Sequence, residues 1–272
     1  MQVIVEAHAA KPIIKWAGGK RWALELIEPY TNGHRRLIDP FLGGGSIPLH
    51  YYSKFSSIVL SDLNEALIEM YEVVRLHPDR VAQALKQFPT DEESYYMVRS
   101  DPKLGPMWQC SHTNRAARFI YLNKTCFNGL YRVNRAGQFN VPWGKRTSVK
   151  FPSLVELKAV ALALKNATLK TSDYKEGIRG AKKGDLVIAD PPYFKTFTSY
   201  TKTGFNYDEQ VKLAYLLRQA MKRGAKFIAF NSDSSETREL YNWAKITPVT
   251  ERRNINRDGA GRGGKPCLLI TA

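Results

Sequence analysis

The stretch of this chain best equipped for chemistry is Leu186-Val187-Ile188-Ala189-Asp190-Pro191-Pro192-Tyr193, an apolar run that ends in a carboxylate, two prolines and an aromatic ring. Pro191 and Pro192 have a fixed φ and no N–H, so their carbonyls point in set directions. One carboxylate beside one fixed carbonyl makes a two-acceptor clamp. Such a clamp fits an amino group carrying two N–H bonds, for example the exocyclic nitrogen of adenine, whose lone pair is otherwise delocalised into the ring. Accepting both hydrogens draws that nitrogen toward a nucleophilic geometry, while Tyr193 offers a face on which a planar base stacks. Asp and Pro also dominate ordinary turns, and the tetrapeptide alone does not separate the two readings.

The apolar residues before Asp190 have the length of a strand buried on both faces, which places the carboxylate at a strand's carboxyl end, where open α/β sheets bind ligands. Upstream, Leu37-Ile38 forms a short strand that runs into Asp39-Pro40-Phe41-Leu42-Gly43-Gly44-Gly45-Ser46 and then a helix from Ile47. The glycine spacing fits neither a dinucleotide fingerprint nor a P-loop. Strand 57–61 ends at Asp62, where a ribose diol is commonly gripped. The alternative is that Asp62 caps the helix beginning near Asn64; the glycine turn upstream favours the ribose. Lys15-Trp16-Ala17-Gly18-Gly19-Lys20 precedes a helix-like run over 21–30, and its paired glycines let a ligand approach the backbone.

Helices are expected over 66–75, 79–88, 92–99 and 113–123, followed by a hairpin over 131–141 that turns at Arg135-Ala136-Gly137. From Lys103 to Leu154 there is no Asp or Glu, yet there are nine Lys or Arg; a one-signed segment of that length points to a polyanion. The whole chain of 272 residues carries a net charge of +16. After the basic part, α/β patterning returns: helix 154–165, strand 167–171 ending at Asp173-Tyr174, the Asp190 strand, a polar lid over 194–207, a helix to Arg223 opened by an Asn206/Glu209 capping box, strand 226–230 ending at Asn231, helix 236–244, and a closing hairpin of 246–253 with 267–270. The loop 252–265 is rich in glycine and arginine. Three separated cysteines (Cys110, Cys126, Cys267) suit a reducing cytoplasm and give no disulfide framework, the five histidines lack ligand spacing so no metal is expected, and no stretch approaches a membrane span or a secretory signal.

Together, the motif Lys15 to Lys20, Asp39-Pro40-Phe41 with Gly43-Gly44-Gly45-Ser46, Asp62, Asn128-Gly129-Leu130-Tyr131-Arg132 and Asp190-Pro191-Pro192-Tyr193 resemble the Dam family of DNA adenine methyltransferases from about Lys11 onward. The resemblance implies an S-adenosylmethionine-dependent, Rossmann-like α/β fold with a seven-stranded, mostly parallel sheet. Residues 1–65 and 150–272 would form the catalytic domain, and 66–149 a mainly helical target-recognition insertion carrying the hairpin. By similarity, Trp16, Lys20, Asp39, Phe41, Gly43, Gly45, Ser46, Asp62, Asp173, Tyr174 and Asp190 serve S-adenosyl-L-methionine. Lys15, Phe127, Asn128, Leu130 and Arg132 fall where the family contacts DNA, with Lys145 and Arg146 expected on phosphates. Pro266-Cys267 departs from the family, whose members usually carry an acidic residue there.

The implied reaction is direct methyl transfer to an adenine flipped out of double-stranded DNA, stacked on Tyr193 and held by Asp190 and the Pro191 carbonyl, with GATC the implied site. The enzyme would be a cytoplasmic monomer of a bacterium or of a bacteriophage in its host. Two competitors remain. An RNA or protein amino-methyltransferase would use the same clamp on guanine or glutamine, although the basic insertion favours duplex nucleic acid. A catalytically idle DNA-binding protein would need the basic insertion but neither Asp62 nor Asp190.

Overall fold

The computed structural model describes residues 10–100, 111–146, 148–193, 205–251 and 264–272. The expected lid lies mostly, and the Arg/Gly loop almost wholly, outside these residues. Strands β1 (Arg36–Asp39), β2 (Ser57–Asp62), β3 (Ala167–Thr171), β4 (Asp185–Ala189), β5 (Lys226–Ser232), β6 (Lys245–Glu251) and β7 (Lys265–Thr271) form one seven-stranded sheet in the order β3-β2-β1-β4-β5-β7-β6. β1 runs parallel to both β2 and β4, and β4 parallel to β5. β7 is antiparallel to β5 on one side and to β6 on the other. The mostly parallel Rossmann-like sheet and the closing hairpin are thus as expected. All five residues of β4 are buried, which is why its sequence reads as a continuous apolar run rather than an alternation.

The helices are α1 (Leu24–Ile27), α2 (Ser46–Tyr51), α3 (Glu65–Leu76), α4 (Pro78–Leu85), α5 (Glu92–Ser100), α6 (His112–Thr125), α7 (Leu154–Ala163), α8 (Tyr174–Arg179), α9 (Tyr207–Lys222) and α10 (Ser235–Leu240). The helix expected over 21–30 is instead α1 between two 3-10 turns, Arg21–Ala23 and Glu28–Tyr30; Pro29 has no N–H with which to continue an α-helical ladder. α10 stops four residues short of Ala244, and the Trp243 indole N–H donates to the Leu240 carbonyl at 2.8 Å, satisfying one of its last free acceptors. α8 was not anticipated: six residues with Gly177 in the middle give no apolar period, and its signal is Asp173, whose carboxylate accepts from the Lys175 N–H at 2.9 Å. Of the expected capping box at α9, only half forms. Asn206 accepts from the Glu209 N–H at 3.0 Å, but the Glu209 carboxylate turns to Tyr174 and Lys175.

The chain divides into two compact units. The first comprises residues 1–19, 43–52 and 64–169, and in it α3, α4, α6 and α7 pack on one another. Leu67, Ile68, Met70, Tyr71, Val73 and Val74 of α3 are buried, an i, i+3, i+4, i+7 stripe. The second comprises 20–42, 53–63 and 170–272; there α8 and α9 cover the sheet through Ile178, Leu213, Leu217 and Ala220 against Val187, Ala189, Phe227 and Ala229.

Candidate functional site

In the second unit three neighbouring parallel strands each deliver an acid at the carboxyl end: Asp62 from β2, Asp39 from β1 and Asp190 directly after β4. Asp39 is buried and accepts from the Phe41 N–H at 3.1 Å, which braces the turn. Burial, with smaller contributions from the charges of Asp190 and Asp62, pushes its carboxyl up to about 8. Asp62 does not cap α3. That role belongs to Asn64, whose side chain accepts from the Leu67 N–H at 3.2 Å.

Asp190 receives Lys20, Nζ to Oδ1 at 2.8 Å, with 3% of the lysine side chain and 22% of the aspartate side chain exposed. Burial raises the Asp190 carboxyl above its ordinary value, Lys20 opposes the rise and Glu251 adds to it. The same ammonium lies 5.0 Å from the Tyr193 ring centroid and 5.4 Å from that of Phe230, so one lysine serves the carboxylate and touches two rings. The Tyr193 phenol meets the Cys267 sulfur at 3.2 Å, and burial pushes that phenol well above its usual value. Cys267 is therefore a neighbour of the Asp-Pro-Pro-Tyr turn, its thiol pushed up to about 11 by burial.

Beside these acids Phe41 and Tyr174 stack with centroids 5.3 Å apart, and Phe205 approaches them at 5.9 and 5.6 Å. Tyr174 donates its O–H to Glu209 Oε2 at 2.7 Å, and Glu209 also holds Lys175 at 2.9 Å. Asp173 is committed locally, as cap of α8 and partner of Lys175 at 3.3 Å.

The first unit contains the remaining motif residues. Trp16 stacks on Tyr131 at 5.7 Å, and Tyr131 on Phe119 at 5.4 Å. Gly43 has φ +46°, and a Cβ there would sit 2.6 Å from the Trp16 ring, so only glycine lets the turn pass under the indole. Gly45 precedes α2 in a left-handed conformation and Ser46 is the first residue of that helix. The Lys15 backbone is clasped by Asn123, which accepts from Lys15 N and donates to Lys15 O, both at 2.8 Å, and donates also to Gly129 O at 3.1 Å. Asn128 follows at φ 54°, between half-exposed Phe127 and Leu130. Burial and then the Arg146 charge lower the Lys15 ammonium; burial and then Lys15 lower that of Lys124. Such mutual repulsion marks a cluster of bases that an anion would relieve. Lys145 stands next to it at φ 49°. The hairpin is present as a single Val133–Phe139 bridge, and Arg132 is held by Asn140, Nε to Oδ1 at 2.7 Å and a terminal nitrogen to the carbonyl at 3.1 Å.

In the first unit Asn123, Lys124 and Asn140, and in the second Gln210, whose amide donates to the Pro192 carbonyl at 2.9 Å, and Cys267, contact or neighbour these residues although their sequence context did not single them out as site residues. For Gln210 a signal existed: it occupies the apolar stripe of α9 with Leu213, Ala214 and Leu217, where a polar residue needs a buried partner.

The family model for D12 class N6 adenine-specific DNA methyltransferases matches residues 16–255. The chain is 38% identical to the type II methyltransferase M.MjaIII of Methanocaldococcus jannaschii, over 93% of this chain and 95% of that protein. It is 35% identical to the DNA N-6-adenine-methyltransferase of Escherichia phage P1, over 94% of this chain and 35% of that longer protein. It is 33% identical to the DNA adenine methylase of Escherichia coli strain K12, over 93% and 91%. The second unit's Lys20–Asp190 pair and stacked Phe41–Tyr174 rings, and the first unit's cluster of bases, are the features set beside that match. The chain belongs to the D12 class of N6 adenine-specific DNA methyltransferases, enzymes that take their methyl group from S-adenosyl-L-methionine.

Proposed function

We propose that the chain methylates adenine within GATC in double-stranded DNA after flipping the base out of the helix, acting as a monomer in the cytoplasm. The observation that carries the reading is the Asp190 carboxylate held at 2.8 Å by a buried lysine, beside a turn whose two prolines cannot donate. Asp190 and the Pro191 carbonyl accept the two amino hydrogens, and Tyr193 packs against the base. Asp190 works ionised, which Lys20 favours against the cost of burial. The residues fit the cofactor: the stacked Phe41–Tyr174 pair offers an aromatic face to an adenine ring, and Asp62, at the carboxyl end of β2, suits a ribose diol. Bound there, S-adenosyl-L-methionine supplies an electrophilic methyl on a sulfonium. Trp16, Gly43, Gly45 and Ser46 of the first unit are assigned to the cofactor on the family pattern. Residues 66–149 are the target-recognition part, with Lys15, Phe127, Asn128, Leu130, Arg132, Lys145 and Arg146 on DNA.

Asp62→Ala is expected to weaken the cofactor by about 1.5 to 3 kcal/mol, the worth of hydrogen bonds to a charged group, with DNA affinity little changed. Calorimetric titration with the cofactor checks it, and equal affinity in the variant would leave Asp62 without that role.

For the target sequence, Arg132 pairs with guanine, and its loss costs roughly 1 to 3 kcal/mol of discrimination at one position. Arg132→Ala is expected to relax specificity there, whereas Lys145→Ala or Arg146→Ala lowers methylation of every sequence alike and flattens the salt dependence by about one unit of slope. Rates on a panel of single-substitution duplexes decide it. A wild-type preference for an unrelated site removes the GATC assignment, and unaltered discrimination in Arg132→Ala removes that residue's role.

A further inference from the structure

Gln210 on α9 and Asn231 on β5 are each 1% exposed, and they join two backbone groups through a chain of hydrogen bonds with one direction. The Ser232 N–H donates to Asn231 Oδ1 at 2.9 Å, Asn231 Nδ2 donates to Gln210 Oε1 at 2.8 Å, and Gln210 Nε2 donates to the Pro192 carbonyl at 2.9 Å. The backbone donor at the end of β5 fixes which end of Asn231 is oxygen, and that choice fixes the orientation of Gln210. We propose that this relay positions the Pro191–Pro192 turn for methyl transfer; the inference rests on the reading that Asp190 and the Pro191 carbonyl hold the target amino group.

The geometry requires such a tether. Neither proline has an N–H, so a hydrogen bond can hold the turn only through its carbonyls. The Pro192 carbonyl, once bound by Gln210, sets the plane of the peptide that leads into Tyr193. The pyrrolidine ring of Pro192 fixes the φ that connects this plane to the preceding one, which carries the Pro191 carbonyl. ψ of Pro192 is then the one soft torsion left between the two planes, and holding the Pro192 carbonyl restricts it, which narrows where the Pro191 carbonyl and the Tyr193 ring can point. A passive core network would serve the fold equally well with its amides exchanged for apolar groups of the same shape; a positioning network would not serve the reaction.

Three variants separate these roles in single-turnover methylation at saturating cofactor and duplex. Gln210→Met keeps the volume and removes the donor. Asn231→Asp keeps the shape but can only accept, so Gln210 must turn its N–H toward the new carboxylate and present oxygen to Pro192. Both are expected to lower the rate by about 10²-fold, the cost of a misplacement near 1 Å, with cofactor and DNA dissociation constants within threefold of wild type. In Gln210→Glu the tether survives only as a protonated acid donating to Pro192, so the ratio of variant to wild-type rate is expected to rise as pH falls, which a purely structural role would not produce. Rates within threefold of wild type in folded Gln210→Met or Asn231→Asp, rate losses matched by lost affinity, or a pH-independent ratio in Gln210→Glu each overturn the proposal. Asp190→Asn in the same assay keeps the two readings apart: activity there defeats the clamp itself, whereas an inactive Asp190→Asn beside wild-type-like relay variants defeats only the relay.

Discussion

Asp190→Asn is expected to reduce kcat by on the order of 10²- to 10³-fold, the usual cost of removing one preorganised partner from a reacting group; because it also takes the carboxylate from the buried Lys20 ammonium, the loss is read on protein that melts as a folded chain. The substitution keeps the side chain's shape but replaces an acceptor by an N–H pointing at the amino group, so one amino hydrogen loses its partner. In the wild type the carboxyl is raised by burial, which makes the neutral form more accessible on acidification. The ionised fraction, and with it the rate, therefore falls as pH drops through that raised value, giving an acid limb above the ordinary carboxylate range. A variant that keeps a tenth of wild-type kcat, or a wild-type rate flat across that range, would count against an ionised acceptor.

Lys20→Met is expected to be the most damaging substitution for stability. It leaves a desolvated carboxylate without its cation, which costs about 3 to 5 kcal/mol in comparable buried pairs. The sign of the pH effect follows from the direction of the shift. A carboxyl raised in the folded state favours folding below its unfolded value and loses that contribution as pH rises through the folded value. Lys20 limits this loss, so the stability gap between variant and wild type is expected to widen with rising pH, and the acid limb of activity to move to higher pH. Denaturant melts at several pH values check the first, and pH–rate profiles the second; a gap that stays constant with pH removes Lys20 from the control of Asp190.

How much of this was legible in the sequence depends on how local each signal is. The strand ending at Asp190 announced itself because a doubly buried parallel strand is apolar throughout, and Asn64 and Asp62, two residues apart, were both visible although only the structure divides capping from the strand-end position. The hairpin of β6 and β7 was readable, but its place was not: insertion of β7 between β5 and β6 is decided by pairing across many residues. α8 was hidden by its shortness and by Gly177. Gln210 and Asn231 lie 21 residues apart, and their purpose exists only once α9 lies against β5. Likewise Cys267 is placed only by its contact with a phenol 74 residues earlier.

The place of β7 has a consequence for the growing chain on the ribosome. Residues 185–193 leave the exit tunnel well before Cys267, 74 residues later, which at roughly 5 to 20 residues per second is an interval of about 4 to 15 seconds. Tyr193 lacks its sulfur neighbour throughout it, and from the emergence of β5 until β7 follows, β5 presents an unpaired edge where β7 will lie, the kind of edge that recruits foreign strands. The nascent protein thus carries a finished cofactor-side half of the sheet and an unfinished catalytic turn. The catalytic turn gains its contact with Cys267 only when β7 has been inserted between two strands already made, and slower translation of this stretch lengthens the exposure of the β5 edge.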